Sequence, residues 1–254
     1  MSIAARLRRL FVYTPPDPIG FWSGRAKDAG WLSVMWQNPA YNELAHRDQW
    51  AAIERHLPSR RDSVLDLGCG TGRLSDQLGV LFAEYTGVDL EPMVAEAARR
   101  NPDLRAQYVA SSVQDYAFPS ASFDLVLSMA CLASACRADE IPAIAERIVR
   151  ATRPGGRIIL IEPFHYVPAL VRTCRLRPAD VVAEFARAGA ARVAWSGIHF
   201  VPVRLAFARE SAARFGRLTR LAYGIGEVVL GVWPRALSDY KVLVFERSVS
   251  DHKE

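Results

Sequence analysis

Residues 64–72 read VLDLGCGTG, an apolar run with one carboxylate inside it and then three glycines at alternate positions. A turn of this kind, closing a first strand and opening a helix, lets a ligand come close to backbone N–H groups and to a helix N-terminus. Gly68, Gly70 and Gly72 supply the close approach, and Asp66 places an acid inside the strand. No Lys-Ser/Thr pair follows, so a phosphate-gripping Walker loop is excluded. The spacing GxGxG differs by one position from the dinucleotide fingerprint GxGxxG and alone leaves the nucleotide open. A second acid narrows the choice. GVDLEP carries Asp89 at the end of the next apolar segment, 17 residues beyond Gly72. A carboxylate there can accept two hydroxyl hydrogen bonds, as from a ribose, which indicates a nucleoside without choosing one.

The elements that must hold these residues alternate between apolar and helical segments. VLDLG is followed by a helix from about residue 73, YTGVDL by one from about residue 92, then AQYVAS, then FDLVLSM with a helix over about 139–152. GRIILIEP follows with a helix over about 178–188. This rhythm predicts an α/β fold with a mostly parallel sheet covered by helices on both faces. The last segment, YKVLVFER, reads as a strand pairing antiparallel with its neighbours. Ahead of the sheet, residues 28–57 read as helical with a break near Asn38-Pro39. Ile3, Leu7, Leu10 and Phe11 share one side of a short N-terminal helix studded with Arg6, Arg8 and Arg9. One domain is expected over 1–254, with 1–58 as a helical cap or lid and 200–236 as an insertion before the last strand.

Composition bounds the function. The chain has 254 residues, half of them apolar, and a formal charge of +5. That charge is compatible with nucleic acid, anionic metabolites and anionic membrane surfaces, and requires none of them. Cys69, Cys131, Cys136 and Cys174 form no CxxC pair and have no histidine at zinc spacing, so no metal site is expected. Neither a secretory leader nor a run of 18 uncharged apolar residues is evident, and a cytoplasmic protein with reduced thiols is the expectation.

Taken in order, these pieces resemble the class I S-adenosylmethionine-dependent methyltransferase family over roughly residues 60–162. VLDLGCGTG resembles the family's cofactor signature, and GVDLEP its second strand. FPSASFDLVLSM resembles the approach to the fourth strand, and IVRATRPGGRIILIEP the helix–turn–strand that follows. The resemblance implies a Rossmann-like, seven-stranded, mostly parallel sheet with an antiparallel last strand, and S-adenosylmethionine as cofactor. It implies that Gly68, Cys69 and Gly70 lie along the methionine part, with Asp66 helping to hold its amino group. Asp89 then takes the ribose, Leu90 packs on adenine and Met129 joins the cofactor's surroundings. Where the family carries an acid after the third strand, this chain reads SSVQ; Ser112 with the Val113 backbone N–H is the positional match, and Asp115 lies three residues on. Trp36 and Tyr41, on the helical cap, are candidates for closing over the cofactor, and 15–22 for a lid; ordinary packing of an aromatic helix is the competing reading.

Methyl transfer from a sulfonium is an in-line displacement that needs alignment and, for an oxygen or nitrogen acceptor, sometimes a base. MACLASACR has Ala133 and Ser134 where many relatives carry a histidine pair. IEPFHY makes His165 the first candidate base and Tyr166 the second; His199, ending AWSGIHF, and His46 on the cap follow, and a reaction driven by proximity alone stays open. The missing (Asp/Asn)-Pro-Pro-(Tyr/Phe) element and the lack of a nucleic-acid-binding module argue against nucleic acid as substrate. The expected reaction is O-methylation of a small or amphipathic metabolite. N- or C-methylation of a small or carrier-bound substrate and a non-catalytic cofactor-binding scaffold are the alternatives. Arg204, Arg209, Arg214, Arg217 and Arg220 interleave with apolar residues over 204–221. This pattern suits a lid over an apolar pocket, a peripheral contact with an anionic membrane presenting a lipid-like substrate, or a homodimer interface.

Overall fold

The computed structural model describes residues 18–28, 30–102, 105–166, 174–232 and 235–249. The expected N-terminal helix over 3–11 and the first residues of the expected lid, 15–17, lie outside them. Helix α1 (Pro18–Arg25) is followed by a single 3-10 turn at Gly30–Ser33 and by α2 (Pro39–Glu54). The break expected at Asn38-Pro39 is a helix start. The Asn38 side chain accepts from the Ala40 N–H at 3.1 Å, and Pro39 occupies the first turn, where its missing N–H costs nothing.

Seven strands then form one sheet: β1 (Ser63–Leu67), β2 (Glu84–Asp89), β3 (Ala106–Ala110), β4 (Phe123–Met129), β5 (Thr152–Glu162), β6 (Ala190–Phe200) and β7 (Ser238–Arg247). Their spatial order is β3-β2-β1-β4-β5-β7-β6. The first five are parallel, and β7 inserts antiparallel between β5 and β6. Between them run α3 (Ser75–Leu81), α4 (Glu91–Arg100), the short α5 (Leu132–Ala135), α6 (Ile141–Ala151) and α7 (Pro178–Arg187). The Rossmann-like sheet with its antiparallel last strand is the fold that the βα rhythm and the motif order predict.

The strands read as continuous apolar runs because both faces are covered. Leu65, Leu67, Val126, Ile158, Leu160, Leu243 and Phe245 face one layer, where α6 contributes Ile141, Ile144 and Ile148 and α7 contributes Val181 and Phe185. The intervening residues Val64, Leu125, Leu127, Ile159, Ile161, Val242 and Val244 face the other, against Ile53 of α2 and Leu78 of α3. A period of two along each strand thus feeds two cores.

The segment between β6 and β7 is helical: α8 (Val201–Phe207), a 3-10 stretch at Glu210–Phe215, and α9 (Gly216–Val232). Residues 224–232 of the apolar GIGEVVLGVW form the second half of α9; its last residue, Trp233, lies outside the described residues. Gly226 allows that helix to lie close on its support, since a Cβ there would meet Val203 Cγ2 at 3.0 Å and Phe200 Cβ at 3.1 Å. The inner face of α9 joins the cap in a third cluster, Tyr41, Ala45, Ala208 and Tyr223. The Asn38 amide donates to the Phe207 carbonyl at 2.7 Å and to Thr219 Oγ1 at 3.2 Å, tying the two halves together. Leu218, Leu221, Ile225, Val228 and Val232 recur at three- and four-residue steps along the outer face and are 52–81% exposed.

Candidate active site

The ends of β1, β2 and β4 converge with the cap on the glycine turn. Gly68, Gly70 and Gly72 have φ of 75°, 59° and 79°, in the left-handed region that favours glycine. The Gly68 and Cys69 N–H groups donate to the Val88 carbonyl at 2.8 and 3.2 Å, anchoring the turn on β2. The turn is also enclosed by its neighbours. A Cβ on Gly68 would sit 2.4 Å from Cys131 Cβ, and one on Gly70 would sit 2.6 Å from Val34 Cγ1.

Asp89 closes β2 beside this turn. Its Oδ2 accepts from the Gly70 N–H at 2.8 Å and its Oδ1 from the Leu90 N–H at 2.7 Å. Burial raises its pKa, and these two bonds oppose the rise. Each carboxylate oxygen keeps a further lone pair, so the fixed and only partly buried group has lone pairs for two hydroxyl donors. The chemistry of this donor set fits the ribose end of S-adenosylmethionine. Leu90 follows as the N-cap residue of α4.

Asp66 is buried within β1 and accepts from Tyr85 Oη at 2.9 Å, which in turn takes a bond from Ser75 Oγ at 3.1 Å. Burial pushes Asp66 up to about 6, against the pull of Tyr85 and Arg73. After β3, Ser112 Oγ donates to Asp115 Oδ2 at 2.5 Å and accepts from the Asp115 N–H at 3.1 Å. Serine and acid, weighed separately in the sequence, are one hydrogen-bonded unit, and Val113 beside them is buried.

Two side chains central to this region went unnoticed in the sequence. Glu162 ends β5 fully buried; it accepts from Ser128 Oγ at 2.7 Å and from the N–H groups of Cys131, Leu132 and Ala133 at 3.0, 3.0 and 3.1 Å. It therefore fixes the loop after β4, the same loop whose Cys131 encloses Gly68. Arg73, directly after the turn, donates to His46 Nδ1, to Gln49 Oε1 at 2.9 Å and to Met129 Sδ at the end of β4. A buried acid at a strand end was the available signal for Glu162; for Arg73 there was none beyond its place after Gly72.

The candidate bases stand in different surroundings. His165 is buried just after β5. Tyr166 is exposed and stacks on Trp195 with ring centroids 6.5 Å apart. His199, a candidate base by its place where the chain enters the 200–236 insertion, lies at the end of β6. It is fully buried, at φ 63°, ringed by Trp36, Tyr41, Tyr223 and Tyr240. Trp36 and Tyr41 thus pack around His199, and Tyr41 is itself fully buried in the cap cluster.

One directional hydrogen-bond chain explains the state of His199. Gln49 gives its carbonyl to Arg73, so its amide donates to His199 Nε2 at 3.1 Å. His199 Nδ1–H then donates to Tyr223 Oη at 2.9 Å, and Tyr223 donates to Asp48 Oδ2 at 2.8 Å. Protonating Nε2 would set two donors against each other, and burial independently lowers the pKa to about 4. The unfolded chain therefore takes up this proton first, and the stability present above pH 6.5 is lost as pH falls towards 4. The loss should be about 3 kcal/mol relative to His199→Asn, a neutral residue tolerant of positive φ. Urea unfolding of both proteins at pH 7 and pH 4 measures it; parallel profiles would contradict the assigned chain.

Comparison with known proteins agrees with this geometry. A family model described as "Methyltransferase domain" matches residues 64–156. An uncharacterised methyltransferase of Bacillus subtilis (strain 168), YodH, is 31% identical over 115 residues, 44% of this chain and 48% of that one. The O-methyltransferase cnsE of Penicillium expansum is 28% identical over 144 residues, 52% and 51% of the two chains. The ubiquinone biosynthesis O-methyltransferase of Xanthomonas oryzae pv. oryzae (strain PXO99A) is 35% identical over 104 residues, 38% of this chain and 41% of that one. The chain thus spans about half the length of the curated relatives it matches. Among solved structures, the [4+2]-cyclase SpnF superposes with a TM-score of 0.58 at 19% identity, covering 85% of this chain and 87% of that one. A methyltransferase from Mesorhizobium loti gives 0.59 at 17% identity, covering 78% and 97%. At these identities the structural likeness is one of fold. Motif order, strand order and domain match converge: over residues 64–156 the chain matches a methyltransferase domain, set in a Rossmann-like class I methyltransferase fold.

Proposed function

We propose that the protein transfers the methyl group of S-adenosylmethionine to an oxygen atom of a small or amphipathic acceptor. The observation that carries this reading is Asp89, oriented by the Gly70 and Leu90 N–H groups beside a turn whose left-handed φ values favour glycine. When bound, the cofactor supplies a methyl group activated on a sulfonium. Asp89 would hold its ribose hydroxyls, the Gly68–Gly70 backbone its amino-acid portion, and Ser112 with Val113 its adenine. The choice of oxygen is supported by relatives named as O-methyltransferases, cnsE and the ubiquinone enzyme. An amphipathic acceptor is supported by the exposed apolar row on α9, flanked by Arg214 and Arg217, which suits an anionic membrane surface. No helix among the described residues is long and apolar enough to cross a membrane.

A hydroxyl acceptor must lose a proton as its oxygen–methyl bond forms. We assign that proton to His165 rather than His199, because both ring nitrogens of His199 already serve the cap. Fold alone does not fix this chemistry, as the cyclase SpnF illustrates. Titration calorimetry with S-adenosylhomocysteine tests the cofactor reading. Asp89→Ala should weaken binding about 100- to 1,000-fold, as expected for two charge-assisted hydrogen bonds. His165→Ala should bind normally and lose transfer to a phenol-type acceptor. Binding of NAD(H) in place of S-adenosylhomocysteine by the wild-type protein would overturn the reading.

A further inference from the structure

Arg73, Arg147 and Arg247 differ from the other partly buried arginines in facing no carboxylate among the described residues; Arg147 and Arg247 donate to backbone carbonyls, those of Gln114 and Tyr116 in the case of Arg147, whereas Arg73 meets only side chains. Arg100, Arg153 and Arg204 each face a carboxylate, at 2.6 Å from Glu96, 3.0 Å from Asp124 and 3.0 Å from Asp239. Arg73 has three side-chain acceptors, and all are neutral: His46 Nδ1, Gln49 Oε1 and Met129 Sδ. Asp66 favours the charged guanidinium from a distance, but its Oδ2 accepts from Tyr85 and it forms no ion pair with Arg73 among the described residues. Of the five N–H donors of a guanidinium, both on Nη2 and one on Nη1 are engaged. The Nε–H and one Nη1–H have no acceptor among the described residues.

The neutral partners hold the group in place without compensating its charge. Gln49 is oriented from behind by His199, and His46 is kept unprotonated as an acceptor by burial and by Arg73 itself, its pKa lowered to about 4. Burial brings Arg73 down to about 10, which still leaves it fully charged at neutral pH. A cation held this way, beside Gly72 on one side and the end of β4 on the other, has a net attraction for an anion that can reach its free donors.

We propose that Arg73 is an anion-binding residue of this cleft, taking a carboxylate carried by one of the cleft's ligands. The inference rests on the reading of the site as a methyl-transfer cleft. That reading supplies two sources for the carboxylate: the amino-acid end of S-adenosylmethionine, or an acidic group on the acceptor. Arginine suits either through its planar fork, and lysine would supply charge without the fork.

Titration calorimetry on the full chain separates these cases, using S-adenosylhomocysteine, 5′-methylthioadenosine (which lacks the amino-acid portion), and sodium benzoate added to protein saturated with S-adenosylhomocysteine. If the cofactor's carboxylate is the ligand, Arg73→Gln weakens S-adenosylhomocysteine about 10- to 100-fold and leaves methylthioadenosine within twofold. If the acceptor's carboxylate is the ligand, both adenosyl compounds bind normally and benzoate binding disappears. Arg73→Lys should lose less in the affected arm, and it serves as the readout should the glutamine variant fail to fold. The proposal is overturned if Arg73→Gln leaves S-adenosylhomocysteine unchanged and removes no benzoate binding, or if both adenosyl compounds weaken together. Failure of wild-type protein to bind either adenosyl compound would instead overturn the methyl-transfer reading.

Discussion

Glu162→Ala is expected to lower the unfolding free energy by about 4–5 kcal/mol and the melting temperature by roughly 10–15 °C. The size follows from what the carboxylate does. Four donors point at it, Ser128 Oγ and the N–H groups of Cys131, Leu132 and Ala133, in a fully buried position. Each donor left without an acceptor costs about 1–3 kcal/mol, reduced where the loop can turn to water. Burial pushes Glu162 up to about 7 even against the pull of these four donors, so the site opposes its own charge and is tolerable only because the donors converge. Glu162→Gln should recover part of the loss. Its carbonyl can replace Oε1, which serves Ser128, Cys131 and Leu132, whereas its amide meets the Ala133 N–H donor head-on. The loop those donors belong to also bears Cys131 against the glycine turn, so S-adenosylhomocysteine affinity should fall with stability in both variants. Urea unfolding together with calorimetry measures both quantities. A loss under 1 kcal/mol in Glu162→Ala would show that the loop holds itself without the carboxylate.

What the sequence disclosed and what it withheld divide along a physical line. The sheet, the turn and Asp89 were legible because each is written in consecutive residues: an apolar strand, a run of alternating glycines, an acid at a strand end. The antiparallel β7 was legible from YKVLVFER, though its insertion between β5 and β6 is a matter of tertiary order. By contrast, the chain from Arg73 through Gln49, His199 and Tyr223 to Asp48 draws on residues from the turn, α2, β6 and α9. No local pattern announces such a meeting. His199 accordingly looked like a candidate base in sequence and proves to be enclosed by aromatic rings. Glu162 was passed over for a related reason: IEP reads as the end of a strand, and only the return of 131–133 over it gives the carboxylate its partners. Ser112 and Asp115 read as separate positions in the sequence because a helix-like step of three residues brings them together only once the loop is built.

Gly68→Ala should cost about 3–5 kcal/mol, and its cause can be separated into two parts. The left-handed φ of 75° alone costs an L-residue about 1–2 kcal/mol. The rest is crowding: the new Cβ would lie 2.4 Å from Cys131 Cβ and 2.7 Å from its Sγ, far inside the 3.5–4.0 Å at which carbon atoms attract. Gly30→Ala isolates the first part, since Gly30 has φ 53° and nothing within 4 Å of an added Cβ; it should cost about 1 kcal/mol. Cys131→Gly isolates the second. It removes both clashing atoms and leaves the Cα, 3.6 Å away, at an ordinary contact distance. In a double-mutant cycle, Gly68→Ala with Cys131→Gly should be more stable than the sum of the single losses by about 1–3 kcal/mol. The same coupling should appear in affinity for S-adenosylhomocysteine, because the clash drives the β4 loop away from the turn that lies along the cofactor. Strict additivity in both readouts would mean that the turn and the loop move independently, and that Glu162 acts on the loop without reaching the cofactor.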